Sequence, residues 1–142
     1  MSPYRVESSA EIPAPAQAVY AILADYRVGH PSILPKGNTV VLESGGTGAG
    51  TVFTLTSKML GVTKSIRMAV SEPEPGRLLI ERELPDGFVT TFTVDPLRGG
   101  AASRVTISTL GPARGGVMAR IEALVMPALI RRMMAHELRM LA

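Results

Sequence analysis

Residues 77–95 read RLLIERELPDGFVTTFTVD, and this stretch decides the fold. At its centre, residues 85–87 are proline, aspartate and glycine, which are typical of a tight turn. Apolar, β-branched and aromatic residues flank the turn on both sides, as in strands. The stretch therefore predicts two antiparallel strands, over residues 77–84 and 88–95, joined by a hairpin.

Alternation along these two strands predicts which side chains face the core. In the second strand the inward set is Phe88, Thr90, Phe92 and Val94. In the first strand three apolar residues are contiguous at positions 78–80, so the alternation is ambiguous. We expect the inward set there to be Leu78, Ile80, Arg82 and Leu84, because the other parity would turn two glutamates toward the core.

Similar alternating segments lie on both sides of the hairpin. Further strands are predicted over residues 4–12, 39–44, 51–59, 62–71 and 103–110. Residues 14–24 are rich in helix formers, and residues 25–34 form a second short helical or turn segment. Residues 45–50 read GGTGAG and lie between two predicted strands. They lack the lysine and the following helix of a phosphate-binding loop, so they predict a hairpin loop.

Residues 113–141 have helical composition throughout and predict one long C-terminal helix, bent near Pro127. Ile130, Met134, Leu138 and Leu141 give its second half an apolar stripe. The predicted order is one strand, two short helices, six strands and a long helix. We therefore expect an α+β fold, β-α-α-β6-α, as a single domain over residues 1–142.

Three stretches of this order resemble a known superfamily. They are SSAEIPAP at residues 8–15, AVYAILADY at residues 18–26 and VTTFTVDP at residues 89–96, and the terminal HELRML at residues 136–141 matches as well. Together they resemble the START-like (SRPBCC) superfamily and, within it, bacterial polyketide cyclase/dehydrase-like proteins. Such proteins usually carry a tryptophan after the first helix, whereas this chain has Gly29-His30-Pro31 there and no tryptophan at all.

The resemblance implies a helix-grip fold, in which a curved seven-stranded antiparallel sheet surrounds the long helix and leaves a hydrophobic cavity between them. Members include cyclases, lipid carriers, hormone receptors and antitoxin-like proteins, so the fold alone does not decide the function.

Strand parity selects the candidate ligand-binding residues of this cavity. They are Phe53, Leu55, Lys64, Met68, Arg82, Thr90, Phe92 and Ile107 from the strands, with Ile121 and Val125 from the terminal helix. Lys64 and Arg82 are cations suited to a carboxylate or phenolate on a ligand, or to salt bridges at the sheet edge. The other inward polar residues are expected to be Ser8, Ser57 and Thr109, and this set holds no carboxylate.

His30 and Tyr26 are the candidate catalytic residues, because they fall at the expected cavity and can transfer protons. A partly exposed loop position before Pro31 is the alternative for His30. Two distant histidines and no cysteine predict no metal site, and no motif indicates a cofactor.

The composition excludes several classes of protein. Without cysteine there are no disulfides and no thiolate metal ligands. The pI near 9.7 corresponds to a net charge of only +3, and the whole excess falls on the predicted terminal helix. Without interleaved aromatic residues, these arginines predict a solvated helix face and no nucleic-acid partner. No apolar run approaches the ~20 residues of a membrane span. We expect a soluble, cytoplasmic protein without stable membrane insertion; a homodimer is left open.

Three functions follow from these observations. The first is binding of a hydrophobic small molecule, lipid-like or of aromatic or polyketide type, in the cavity. The second is a polyketide cyclase or dehydratase, for which His30 or Tyr26 supplies acid–base chemistry. The third is an antitoxin-like protein-interaction module, which a cavity closed by methionines would favour.

Overall fold

A computed structural model describes residues 4–59, 61–111 and 117–142, except for the side chains of residues 59 and 117–126. In chain order the elements are β1 (Arg5–Ile12), α1 (Ala16–Ala24), α2 (Gly29–Ile33), β2 (Asn38–Ser44), β3 (Val52–Met59), β4 (Val62–Glu74), β5 (Leu78–Glu83), β6 (Val89–Leu97), β7 (Ala102–Leu110) and α3 (Val117–Leu141). The predicted order of elements is confirmed.

The seven strands form one curved antiparallel sheet in the order β1-β7-β6-β5-β4-β3-β2. Five consecutive hairpins connect β2 to β7, and β1, the first strand of the chain, pairs with β7 at one edge of the sheet. The hairpin at residues 85–87 is confirmed: Arg82 pairs with Val89, and the Glu83 N–H donates to the Phe88 carbonyl. The expected α+β helix-grip architecture is correct.

Helix α3 packs against β1, β7 and α2, and Pro127 lies within it. Met134, Leu138 and Leu141 are buried, as the apolar stripe predicted. The same core contains Val6, Leu23, Leu79, Phe92 and Val105 from the sheet and α1. The bend near Pro127 stays a prediction. Within the described part of the chain, no helix combines the length and apolar character that a membrane crossing requires.

The predicted parity of β5 is wrong. Leu79 is fully buried and Glu81 is 9% exposed, whereas Arg82 lies on the exposed face. The reason is the register with β6, in which Leu79 pairs with Phe92 and Glu81 with Thr90. Directly paired residues share a face of the sheet, so Phe92 and Thr90 bring Leu79 and Glu81 inward with them.

Candidate functional site

A cavity of about 420 Å³ lies between the sheet and α3, and most of its walls are apolar. Its aliphatic and aromatic lining includes Val40, Phe53, Leu55, Ile66, Met68, Phe92, Ile107, Leu129, Ile130, Met133 and Met134. The volume falls within the range of small-molecule sites. Met68, Met133 and Met134 form part of the wall and leave this space open.

The two ends of the cavity differ in burial and in chemistry. At the inner end lie Tyr26, His30, Glu81 and Glu137, all of them buried. At the outer end lie Ser57, Val62 and Lys64, near the tip of the β3–β4 hairpin, where Val62 and Lys64 are exposed. The cavity therefore joins a buried ionisable cluster to an open mouth.

The turn between α1 and α2 positions two members of the inner cluster. The Asp25 carboxylate accepts hydrogen bonds from the backbone N–H groups of Arg27, Val28 and Gly29, at 3.0, 3.3 and 3.2 Å. These hydrogen bonds hold the pKa of Asp25 below its ordinary value, and the bonds from Arg27 and Gly29 contribute most. They fix a tight turn that directs the side chains of Tyr26 and His30 to the cavity.

Close packing of the two short helices requires Gly29. A Cβ atom at this position would lie 2.6 Å from the Ile22 carbonyl oxygen and 3.1 Å from its Cα, both of them backbone atoms. The neighbouring His30 is only 3% exposed. Gly29 thus lets α2 approach α1 closely enough for His30 to reach the interior, which excludes the partly exposed loop position.

Hydrogen bonds define the state of the inner cluster. The Tyr26 hydroxyl donates to Glu81 Oε2 at 2.5 Å. His30 Nδ1 lies 2.8 Å from the Leu23 carbonyl oxygen, and because a carbonyl only accepts, Nδ1 carries a proton. His30 Nε2 therefore faces the cluster, at 3.7 Å from Glu81 Oε2 and 3.6 Å from Glu137 Oε1.

Burial and mutual charge shift the pKa values of these groups. Burial disfavours the imidazolium of His30, but the facing carboxylates of Glu137 and Glu81 outweigh it and raise its pKa to about 9. Burial raises the pKa of Glu81, although His30 and Tyr26 act in the opposite direction. Burial, then the charge of Glu81, raises the pKa of Tyr26 well above its ordinary value. At neutral pH the charged imidazolium of His30 thus lies beside Glu81 and Glu137. The raised pKa of Glu81 means that its carboxylate binds a proton more strongly than an ordinary glutamate does.

Aromatic rings hold this cluster in place. Tyr26 stacks on His30 with centroids 4.8 Å apart and on Phe53 at 4.9 Å. Phe92 meets the His30 ring edge-on at 5.3 Å. The imidazole therefore has neighbours on two sides, and these restrict it to one orientation. This rigidity suits a proton-transfer group, which must stay within reach of its substrate.

Most of the predicted site residues meet at this cavity. Lining it are both catalytic candidates, Tyr26 and His30, together with Phe53, Leu55, Lys64, Met68, Thr90, Phe92 and Ile107. Arg82 is a correction, because the register of β5 turns it to the outer face. Ile121 and Val125 lie outside the described side chains. The roles of all these residues in binding and catalysis stay predictions.

The expectation that the inward polar set holds no carboxylate is wrong. Glu81 and Glu137 both line the cavity, at 9% and 5% exposure. Glu137 follows Met134 by three residues and precedes Leu141 by four, so helical periodicity puts it beside the apolar stripe. Among the residues that the structure describes, no group of His, Asp and Glu side chains is arranged to hold a metal ion.

Residues 3–142 match the family model described as polyketide cyclase/dehydrase and lipid transport. The chain belongs to this family. The resemblance to polyketide cyclase/dehydrase-like proteins is thereby confirmed over nearly the whole sequence. A comparison with curated proteins gave no significant match.

Solved structures with the same fold cover nearly the whole chain. The KanY protein is 28% identical, with a TM-score of 0.82, and the match covers 99% of this chain and 96% of that one. The Zhui aromatase/cyclase from Streptomyces sp. R1128 is 17% identical with a TM-score of 0.80, covering 98% and 91%. A START superfamily protein from Mycobacterium smegmatis is 17% identical with a TM-score of 0.65, covering 96% of each chain.

Proposed function

We propose that this protein is an acid–base enzyme that binds an apolar, polyketide-type substrate in its cavity and catalyses cyclisation or dehydration. The observation that carries the proposal is the buried cluster of Tyr26, Glu81, His30 and Glu137 at the inner end of an otherwise apolar cavity. Burying ionisable groups is costly for a fold, and perturbed pKa values in a cleft are typical of catalytic sites. A purely apolar carrier has no need of such a cluster.

Glu81 and His30 supply the base and the acid in this proposal. The Glu81 carboxylate takes a proton from a carbon beside a substrate carbonyl, and the electron pair left on that carbon attacks a second carbonyl of the same molecule. His30 donates its Nε2 proton to the oxygen of the attacked carbonyl. A carbon–carbon bond forms, the second carbonyl becomes a hydroxyl, and the proton on Glu81 returns to His30.

Dehydration uses the same two groups. Glu81 removes a further C–H proton, while His30 protonates the new hydroxyl, which leaves as water and gives a carbon–carbon double bond. Tyr26 acts as a positioning residue, because its hydroxyl holds Glu81 Oε2. Glu137 favours the charged form of His30 by facing Nε2. One bound acid and one bound base thus serve both steps.

The family and the neighbours support this proposal at the level of chemical class. The family description includes cyclases and dehydrases, and one neighbour with the same fold is an aromatase/cyclase. The description also includes lipid transport, so non-catalytic carriage of a lipid-like molecule is the second candidate. The mostly apolar wall of the cavity favours it. Among the described methionines, Met68, Met133 and Met134 line the cavity without filling it, so these residues do not supply the closure that would have favoured the interaction-module alternative.

Hydrogen exchange on an apolar ketone tests the proposed chemistry without knowledge of the natural substrate. The probe is 2-acetylnaphthalene in D₂O, and NMR follows the loss of its methyl protons with and without protein. We expect the wild-type protein to accelerate exchange and Glu81→Gln to reduce the acceleration by about 10²–10⁴-fold, the range for loss of a proton-transfer group. Ring closure is then examined with linear poly-β-ketones by mass spectrometry, which detects the loss of water.

Glu7→Gln is the matched control, because Glu7 lies on the exposed face of β1, away from the cavity. It makes the same change of charge, and we expect exchange to proceed at the wild-type rate. If wild-type protein binds the ketone without accelerating exchange, the enzyme proposal is wrong and the carrier takes its place.

A further inference from the structure

Lys64 is the one lysine or arginine that lines the cavity among the side chains that the structure describes. It lies at the outer end, opposite Ser57 in the β3–β4 ladder, and it is exposed there. Within the described part of the chain, no carboxylate lies at ion-pair distance from it. Among the described side chains, Lys64 thus places a positive charge without an ion-pair partner at the mouth of an apolar cavity.

The inner end carries the opposite charge balance. There two glutamates, Glu81 and Glu137, face a single imidazole. The inner cluster is therefore net negative when both carboxylates are ionised, whether or not His30 is protonated. Glu81 of β5 pairs with Val70 of β4, and Val70 lies six residues beyond Lys64 along β4. At about 3.3 Å per residue this separation is roughly 20 Å along the strand. Ile66, Met68, Leu55 and Phe53 form the apolar wall between the two ends.

We propose that the cavity takes amphipathic anions, molecules with an apolar ring system or chain and one anionic group, and orients them with the anion at Lys64. The apolar part then occupies the wall between the ends and brings its far end to the buried cluster. An anionic group placed at the inner end would meet Glu81 and Glu137 and lose its water, which is unfavourable. At the mouth it meets a hydrated ammonium and keeps part of its own hydration.

This inference rests on the proposed use of the cavity as the ligand site, and it names the class of ligand and its orientation. The chemistry recognised is a single anionic group, whether a carboxylate or a phosphate ester, attached to an apolar body. Orientation matters for the proposed reaction, because only the end of the molecule remote from the anion reaches His30 and Glu81.

Two fluorescent probes that differ by one anionic group test the inference. They are 1-anilinonaphthalene-8-sulfonate and its neutral counterpart N-phenyl-1-naphthylamine. Fluorescence titration gives Kd for wild type, Lys64→Gln and the control Lys58→Gln, which removes the same charge from the same hairpin on the opposite face of β3. We expect Lys64→Gln to weaken binding of the sulfonate about threefold to fivefold, the upper part of the range for an exposed charge pair, and to change the affinity for the neutral probe less than about twofold.

The remaining outcomes separate this inference from the proposed function. Lys58→Gln should leave both affinities unchanged, and added salt should weaken the sulfonate in wild type more than in Lys64→Gln. Competition by 2-naphthoate and by 2-naphthyl phosphate distinguishes a free acid from a phosphate ester, and at least one should compete better against wild type. If both probes bind and Lys64→Gln affects them equally, the inference is wrong while the ligand site stands. If neither probe binds, the ligand site itself is wrong.

The bound orientation gives a second readout. Intermolecular NOEs should join the naphthalene proton beside the sulfonate to the Val62 methyl groups, and the protons at positions 4 and 5, on the ring edge remote from the sulfonate, to Ile66 or Met68 deeper in the cavity wall. The reverse pattern would overturn the proposed orientation even if Lys64 contributes to affinity.

Discussion

The Tyr26 hydroxyl donates a 2.5 Å hydrogen bond to Glu81 Oε2, across 55 residues of sequence. The bond joins the α1–α2 turn to β5, and it orients the carboxylate that we propose as the base. Since Glu81 is buried, its charge requires such a donor nearby. The same tyrosine stacks on His30. One side chain therefore positions both proposed proton-transfer groups.

Tyr26→Phe tests this relationship. The change removes a hydrogen bond that lowers the pKa of Glu81, so that pKa should rise further. Because Glu81 acts as a base only when ionised, the pH at which exchange of 2-acetylnaphthalene reaches half its maximal rate should move upward. We also expect about 1–3 kcal/mol less stability, since a buried carboxylate loses a donor. The measurements are a pH–rate profile and denaturant unfolding.

Tyr20→Phe is the matched control. The Tyr20 hydroxyl donates to Glu72 at 2.7 Å, in a pair outside the cavity lining. Its removal should lower stability without moving the pH profile. If both variants leave the profile unchanged, Tyr26 is structural and does not position Glu81 for catalysis.

The contrast between β5 and its neighbours shows what the sequence could predict. In β3, β4, β6 and β7 alternation was enough, and Phe53, Met68, Phe92 and Ile107 all line the cavity. In β5 the contiguous apolar residues left the parity ambiguous, and the choice that kept glutamates out of the core was wrong. The hydrophobic pattern fails there because contacts with Tyr26 and His30 compensate for the burial of the Glu81 carboxylate. These contacts form only in the folded chain, so the local sequence does not predict them.

The missing signal for β5 was register. Alternation along β6 correctly predicts that Phe92 and Thr90 face inward, and across the hairpin at residues 85–87 they pair with Leu79 and Glu81, respectively. A register worked out from the turn would have brought Glu81 inward as well. The burial of His30 depends on the close approach of α2 to α1 at Gly29, a tertiary contact that local sequence does not predict.

The pH dependence of stability follows from the inner cluster. The pKa of His30 is raised from 6.5 to about 9, so the stabilisation that its charge provides is fully present below about pH 6.5 and is lost as the pH rises through 9. Glu81 acts in the same direction, because a carboxyl whose pKa is raised in the folded state favours folding at lower pH. The groups that face His30 are Tyr26 on the α1–α2 turn, Glu81 on β5 and Glu137 on α3.

We therefore expect wild-type protein to lose about 3 kcal/mol of stability between pH 6 and 10 through His30, and His30→Asn to lose much less over the same interval. Denaturant unfolding at a series of pH values gives the difference, and imidazole ¹⁵N shifts give the pKa directly. A His30 pKa at or below 6.5 would contradict this prediction.

Gly29→Ala tests the packing that brings His30 inside. The added Cβ would meet the Ile22 backbone at 2.6 Å, so α2 must move away from α1. We expect a loss of about 1–3 kcal/mol and a weaker His30–Glu137 contact, seen as a lower imidazole pKa by NMR. Val28→Ala is the control in the same turn, because Val28 is 70% exposed and its truncation creates no clash. Equal effects of the two changes would argue against the steric explanation.

The arginines of α3 should contribute little to folding. Arg131, Arg132 and Arg139 are exposed, as predicted from the sequence. Replacing all three with Gln should change stability by no more than about 0.5 kcal/mol each. Fluorescence anisotropy with labelled duplex DNA at physiological salt should show no binding or only weak, sequence-independent binding by the wild type. The triple variant should give the same result. Tight binding abolished by the triple variant would show that α3 is a nucleic-acid interface.

Phe92 separates ligand binding from core packing. Its ring is 2% exposed, lines the cavity and meets the edge of His30. Phe92→Leu should reduce the affinity for N-phenyl-1-naphthylamine, because an aromatic contact surface is lost, and should lower stability by about 1–3 kcal/mol. Val94→Ala is the control on the same face of β6: it leaves a void in the core, but Val94 does not line the cavity. We expect it to lower stability to a similar extent and leave probe affinity intact. If probe affinity falls equally in both variants, the probe reports loosened packing, and the cavity is not its binding site.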